Sequence, residues 1–202
     1  MTGGAMKPYY ETHAIGVLYL VVVLGWYAME LVQLLLQRQW RKTARRIGPR
    51  SFWPMFWVGA AVAIAMLFAA PQIAPGAAMG LPAVGFAVGM LMLVTGVALR
   101  LWSFHALGQY FTFSVRVSPD QPVVTAGPYR LLRHPGYAGG LLATVGVGFM
   151  WGNWASAATL VLFTLVFVVW RIRIEECALL ASLGERYRRY AAGRKRLVPL
   201  VW

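Results

Sequence analysis

No residue between Arg50 and Arg100 carries a charge. A soluble domain places charges on its surface every few residues, so an apolar stretch of this length belongs in lipid. About 20 mostly apolar residues carry a helix across the hydrocarbon core. Backbone polar groups there have no water to turn to, so helix is the form that such runs take. Five apolar runs meet the pattern: residues 13–37, 52–70, 82–104, 137–151 and 154–170. The first carries Glu30 and the third carries Arg100 near its end, both close to the inner ends of their spans, where pairing and separate snorkelling fit equally. The last two are short and joined only by Gly152 and Asn153, which predicts a tight helical hairpin with Trp at its turn. The expected fold is an all-α integral membrane protein, a single membrane domain over residues 1–202 with five transmembrane helices.

Composition agrees. Hydrophobic residues make up 59% of the chain and charged residues 12%, against roughly 25% charged in a soluble domain. A disordered chain would be far less apolar. Cys177 is the single cysteine, which excludes a disulfide framework.

The net charge of +13 would suggest nucleic acid in a soluble protein, but here the positive charges are clustered. Six lie between Arg38 and Arg50, and eight between Arg171 and Arg196. Basic loops between apolar spans mark the cytoplasmic side. Residues 38–51, 105–136 and the C-terminal segment are therefore expected inside. The uncharged residues 71–81 and the turn at 152–153 are expected outside. This puts the N-terminus outside and the C-terminus in the cytoplasm. No basic n-region and cleavage site open the chain, and the first span is too long for a removed signal peptide. Nucleic acid is not an expected partner; membrane lipid is.

Within the spans, Gly85 and Gly89, and Gly136 and Gly140, are pairs spaced four apart that permit close helix approach. The Gly-x-Gly at 146–148 follows no strand and is not a dinucleotide fingerprint. Beyond Arg171, Leu179, Leu180, Leu183, Tyr187 and Tyr190 share one helical face, with Arg186, Arg188 and Arg189 opposite. They predict a cytoplasmic amphipathic helix at the inner surface.

Metal chemistry is not expected. His13, His105 and His134 are far apart and show no ligand spacing. Nor is a Ser-His-Asp site, since Asp120 is the only aspartate and no nucleophile-elbow pattern exists. The polar residues that remain gather at two places. Residues 121–139 form a Pro- and Gly-rich loop ending in Arg133-His134-Pro135, where Pro135 suits the first turn of a helix. The second place is Arg171-Ile-Arg-Ile-Glu175-Glu176, where Arg171 and Glu175 lie on one helical face. Half of all the carboxylates are Glu175, Glu176 and Glu185. Each segment alone fits a capped helix start or a surface ion pair. A hairpin returns the chain to its starting side, however, so the two segments are expected to meet.

The pattern Gly127-x-Tyr129, Arg133-His134-Pro135-x-Tyr137-x-Gly139, then a hairpin to Arg171, Glu175-Glu176, Gly184, Tyr187, Tyr190 and Pro199 resembles the isoprenylcysteine carboxyl methyltransferase family and its phospholipid methyltransferase relatives. Leu107-Gly108 and Phe111-Thr112 also fit, so the resemblance covers about residues 100–200. It implies a membrane methyltransferase that uses S-adenosylmethionine without a Rossmann domain, with the cofactor at the cytoplasmic face, in the region of residues 105–136 and 171–202. The backbone around Gln121, Val123 and Val124, with Tyr129, His134, Pro135 and Tyr137, would hold the cofactor. Glu175 would bind its amino-acid or ribose end, with Glu176 in the same set. Arg171 would orient the acceptor carboxylate. Gln121 and Pro122 depart from the His-x-Leu-Val common in the family, and Pro122 has no amide hydrogen to donate. The implied acceptor is lipophilic, a small molecule or a prenylated cysteine reaching the site from the bilayer. Five-span versions are typical of prokaryotic members, which implies the inner (plasma) membrane.

Two other readings fit related patterns: a phospholipid N-methyltransferase, and an NADPH-dependent sterol-type reductase. Reductases usually carry Asn and Glu where this chain has Gly136 and Gly140, and an Asp-Glu pair where it has Glu175-Glu176.

Overall fold

A computed structural model describes residues 13–36, 45–46, 52–111, 116–117, 121–198 and 202. Its principal elements are α-helices: α1 (His13–Leu36), α2 (Phe52–Ile73), α3 (Pro82–Leu107), α4 (Pro135–Met150), α5 (Trp154–Leu183) and α6 (Glu185–Ala192). Two residues each from β1 (Arg45–Arg46) and β2 (Arg116–Val117) pair antiparallel. Single 3-10 turns lie at Pro75–Ala77, Gly108–Tyr110 and Gly127–Arg130. The N-terminal residues 1–12 and most of the basic segment 38–50 lie outside the described residues.

The helices follow the apolar runs, with one correction. The fifth does not stop at Trp170. It continues to Leu183, so Arg171, Glu175 and Glu176 stand on its last turns. The predicted C-terminal amphipathic helix is therefore two pieces, and Leu179, Leu180 and Leu183 belong to α5. The break is Gly184, whose φ of 55° and ψ of −127° suit only glycine. Tyr187 and Tyr190 on α6 are buried with Leu183, while Leu180 is exposed.

The antiparallel pair α3–α4 is the tightest contact, and of the glycines that the four-residue spacing singled out only Gly89 takes part in it. A Cβ on Gly89 would meet the Gly146 carbonyl at 2.5 Å, and one on Gly96 would meet the Gly139 carbonyl at 2.5 Å. The partners are seven residues apart on each helix and so share a face. Leu93 and Ala143, fully buried, lie between them. Gly85 has only ordinary contacts, and Gly136 and Gly140 face Arg100 and Ser103 rather than another glycine.

The uncharged turns meet at one end of the molecule. Asn153 caps α5 by accepting from the amides of Ala155 and Ser156, at 3.0 and 3.1 Å. Its side-chain amide donates to the Ala74 carbonyl at 3.2 Å, and the Met79 amide donates to the Gly152 carbonyl at 2.8 Å. The α4–α5 turn is thereby tied to the α2–α3 loop. The loops holding β1 and β2, both basic, pair with one another.

Two helices, α3 and α5, are long and apolar enough to cross a membrane among the described residues, and α2 contains a shorter apolar stretch, Trp57–Ile73. Leu24, Val58, Leu91 and Val166 are all more than 60% exposed, so the outer faces of four helices are apolar.

Candidate functional site

α4 starts where the sequence places it. Pro135 occupies its first turn, and the His134 carbonyl accepts from the amides of Tyr137 and Ala138. The His134 side chain makes no cap; it turns to α5 instead. Its Nε2 lies 3.3 Å from Glu176 Oε1. The same carboxylate receives Arg133 Nη1 at 2.7 Å on Oε1 and Arg196 Nε at 2.8 Å on Oε2. Glu176 therefore fastens the loop before α4 to α5 and to the C-terminal segment. Backbone bonds repeat the link: the Arg133 amide donates to the Lys195 carbonyl at 2.8 Å, and the His134 amide to the Arg196 carbonyl at 3.0 Å.

Glu175, one residue earlier, points elsewhere. It accepts from the Tyr137 hydroxyl at 2.6 Å, and that hydroxyl accepts from Arg171 Nε at 2.6 Å. Arg171 and Glu175 are thus joined through a phenol from α4, which a helical-face argument alone does not reveal. Charge-assisted bonds this short are among the stronger ones. Arg171 is buried, and its guanidinium lies 5.8 Å from the centre of the Tyr137 ring.

Both segments open onto one cavity of about 580 Å³. Its polar end is lined by Gln121, Tyr129, Arg133, His134, Tyr137, Arg171 and Glu175. Its other end is apolar, running between α2 and α5 past Ala63, Ile64, Phe163 and Phe167. The Thr144 and Thr164 hydroxyls on this wall are spent on carbonyls one turn back on their own helices. Of the residues that the sequence singled out, Gln121, Val123, Val124, Tyr129, His134, Tyr137, Arg171 and Glu175 line the cavity; Pro135 and Glu176 do not. Among the described residues no group of three or more His, Cys, Asp or Glu stands together.

The loop over the polar end is held by α6. The Tyr190 hydroxyl donates to the carbonyls of Tyr129 and Leu132, at 3.0 and 3.2 Å. Burial pushes its phenol up to about 12, so it stays a donor. Burial, and then the negative charge of Glu175, hold the Tyr129 phenol well above its usual value. Sequence reasoning considered Arg100 only beside Glu30 and gave it no place in the site, but its Nη1 donates to the Gly136 carbonyl at 2.8 Å and it lines the cavity. A lone cation in an apolar run was the signal available. The Glu30 side chain lies outside what is described.

The phospholipid methyltransferase family model matches residues 84–186, half of the chain. The chain is 35% identical over 116 residues to a probable protein-S-isoprenylcysteine O-methyltransferase of Oryza sativa subsp. japonica, covering 56% of this chain and 61% of that protein. It is 33% identical over 115 residues to protein-S-isoprenylcysteine O-methyltransferase A of Arabidopsis thaliana, covering 56% and 58%. The chain therefore spans about three fifths of the length of these curated relatives. Its fold is similar to the solved structure of a eukaryotic intramembrane Ras methyltransferase, an isoprenylcysteine carboxyl methyltransferase, with a TM-score of 0.69 and 23% identity over 91% of this chain and 65% of that one. The family model runs from α3 through α5 to the start of α6, the part of the chain that supplies most of the polar end of the cavity, and the chain belongs to the phospholipid methyltransferase family.

Proposed function

We propose that the protein is an integral membrane methyltransferase that moves a methyl group from S-adenosylmethionine to the carboxylate of a lipophilic acceptor. The observation that carries this reading is the Arg171–Tyr137–Glu175 chain at the polar end of a cavity whose remaining wall is apolar. S-adenosylmethionine, when bound, supplies an electrophilic methyl on a sulfonium. A carboxylate acceptor is already a nucleophile and needs no general base, so the protein's task is to position the reactants and exclude water. Arg171 orients the acceptor carboxylate, since a guanidinium matches a carboxylate through paired hydrogen bonds. Tyr137 fixes the direction of Arg171 through its Nε. Glu175 accepts hydrogen bonds from the amino-acid or ribose end of the cofactor, and the backbone around Gln121, Val123 and Val124 borders it. Glu176 holds the loop that carries these groups.

Arg133 and Tyr187 line the cavity, and each keeps an unpartnered buried donor, Arg133 Nε and the Tyr187 hydroxyl, which fits a ligand with acceptor groups of its own. The apolar end between α2 and α5 suits a prenyl-like chain arriving from the bilayer. The apolar outer faces of the helices support five spans, in a multi-pass inner-membrane protein with the basic loops and C-terminus in the cytoplasm and the N-terminus outside. The carboxylate is preferred over an amine because Arg171 would have no partner on a phospholipid amine.

The test is transfer by the detergent-purified protein. The reagents are S-adenosylmethionine with a labelled methyl and N-acetyl-S-farnesylcysteine as acceptor, with an NADPH titration in parallel. A methyl ester, released as methanol by base, supports the reading. A base-stable methyl product on phosphatidylethanolamine vesicles would move it to N-methylation. Saturable binding of NADPH alone would replace it with the reductase.

A further inference from the structure

Two buried donors at the cavity have nothing to donate to. The Tyr187 hydroxyl and Arg133 Nε are closed off from water and make no hydrogen bond, and both residues line the cavity. The rest of each side chain is well held. Arg133 gives Nη1 to Glu176 at 2.7 Å. Tyr187 is 4% exposed and packs with Leu183 and Tyr190. Packing accounts for the ring of Tyr187 but not for its hydroxyl, because a phenylalanine would fill the same place without a buried, unsatisfied group. Such groups are costly and rare, and they call for a specific explanation.

The kind of partner follows from the donors. An Arg Nε–H can only donate, and a phenol donates readily. Two donors within electrostatic reach of one another suit an anion. The carboxylates acting on Tyr187 are Glu176 and Glu175. Glu176 is already taken by Arg133, Arg196 and His134, and Glu175 by Tyr137. Neither carboxylate accepts from the Tyr187 hydroxyl or Arg133 Nε as they stand, so a ligand's anion is the group that would satisfy both. Its place in the cavity is also indicated: Val123, in the loop that borders the cofactor, packs against the Leu183–Tyr187–Tyr190 cluster, away from the apolar end between α2 and α5.

We infer that Arg133 Nε and the Tyr187 hydroxyl form a carboxylate subsite for the amino-acid end of the S-adenosyl cofactor, an inference that rests on the methyltransferase reading above. That end is a zwitterion. Its carboxylate takes the two donors, and its ammonium takes Glu175, so the amino-acid end is held by opposite charges from α5 and from the loop before α4. The acceptor carboxylate is a separate anion and belongs to Arg171.

The experiment is calorimetric titration of the full-length, detergent-purified protein with S-adenosylhomocysteine and with its decarboxylated analogue, which lacks only the carboxylate. Tyr187→Phe is expected to weaken S-adenosylhomocysteine about tenfold, the size of one hydrogen bond to a charged group. The analogue should bind it as it binds the wild type. Without ligand, Tyr187→Phe should unfold at the same temperature as the wild type or higher, because only an unpartnered hydroxyl is removed. Arg133→Lys keeps a cation beside Glu176 and removes Nε–H, and it should show the same selectivity. Equal weakening of both ligands, or no weakening of either, would overturn the subsite while leaving the methyltransferase reading standing. A folded wild type that binds neither ligand would overturn both.

Discussion

Glu175 and Glu176 are neighbours in sequence with different tasks, because successive helical residues point about 100° apart. Glu175 reaches the cavity and Tyr137, while Glu176 reaches the loop and Arg196. Glu175→Gln is therefore expected to weaken S-adenosylhomocysteine binding by about 1.5–3 kcal/mol, the range for a hydrogen bond to a charged group, with little change in unfolding temperature. Glu176→Gln should do the reverse. It leaves three cationic or basic side chains around a neutral group, and breaking a buried pair on one side costs about 3 kcal/mol. Thermal unfolding would register that loss, and ligand affinity of the folded fraction would not. Arg171→Ala is expected to lower turnover and leave cofactor affinity nearly unchanged. Loss of S-adenosylhomocysteine binding in that variant would reassign Arg171 to the cofactor. The sequence marked both glutamates and the arginine, but not the phenol between Arg171 and Glu175, because Tyr137 comes from another helix and spacing carries no information across helices.

At the scale of the element, apolar runs located the helices, since a span is a property of its own residues. The contacts between helices were less legible. Gly89, Gly96, Gly139 and Gly146 make the close approach, and of the glycines picked by four-residue spacing only Gly89 is among them, because a glycine is informative only with its partner helix known. Gly96→Ala would drive a methyl into the backbone of α4 and should cost about 1–3 kcal/mol, as overpacking does. Gly85→Ala, with room at its Cβ, should cost little. Comparing the unfolding temperatures of the two variants in detergent checks this. The break at Gly184 was also missed, because the amphipathic pattern runs on across it and only the backbone shows the turn.

For the whole molecule, the prediction concerns sidedness. Cys177 is the single cysteine and is exposed. A membrane-impermeant thiol reagent is expected to label it in inverted vesicles and not in intact cells. Labelling from outside would reverse the proposed orientation and move the cavity's polar end away from cytoplasmic cofactor. Sequence reached the relation between loops through charge alone: the two neutral turns, expected on one side, are joined through Asn153. It did not reach the tie between residues 132–134 and 195–196, because a parallel bridge of so few residues leaves no periodicity to read. That tie has a consequence for biosynthesis. The amides of Arg133 and His134 wait for carbonyls more than sixty residues further along the chain. While the ribosome is still making α5, the loop over the cavity has neither those partners nor Arg196. The loop over the cavity is therefore completed only after residues 195 and 196 have been made, when α4 and α5 are already synthesised.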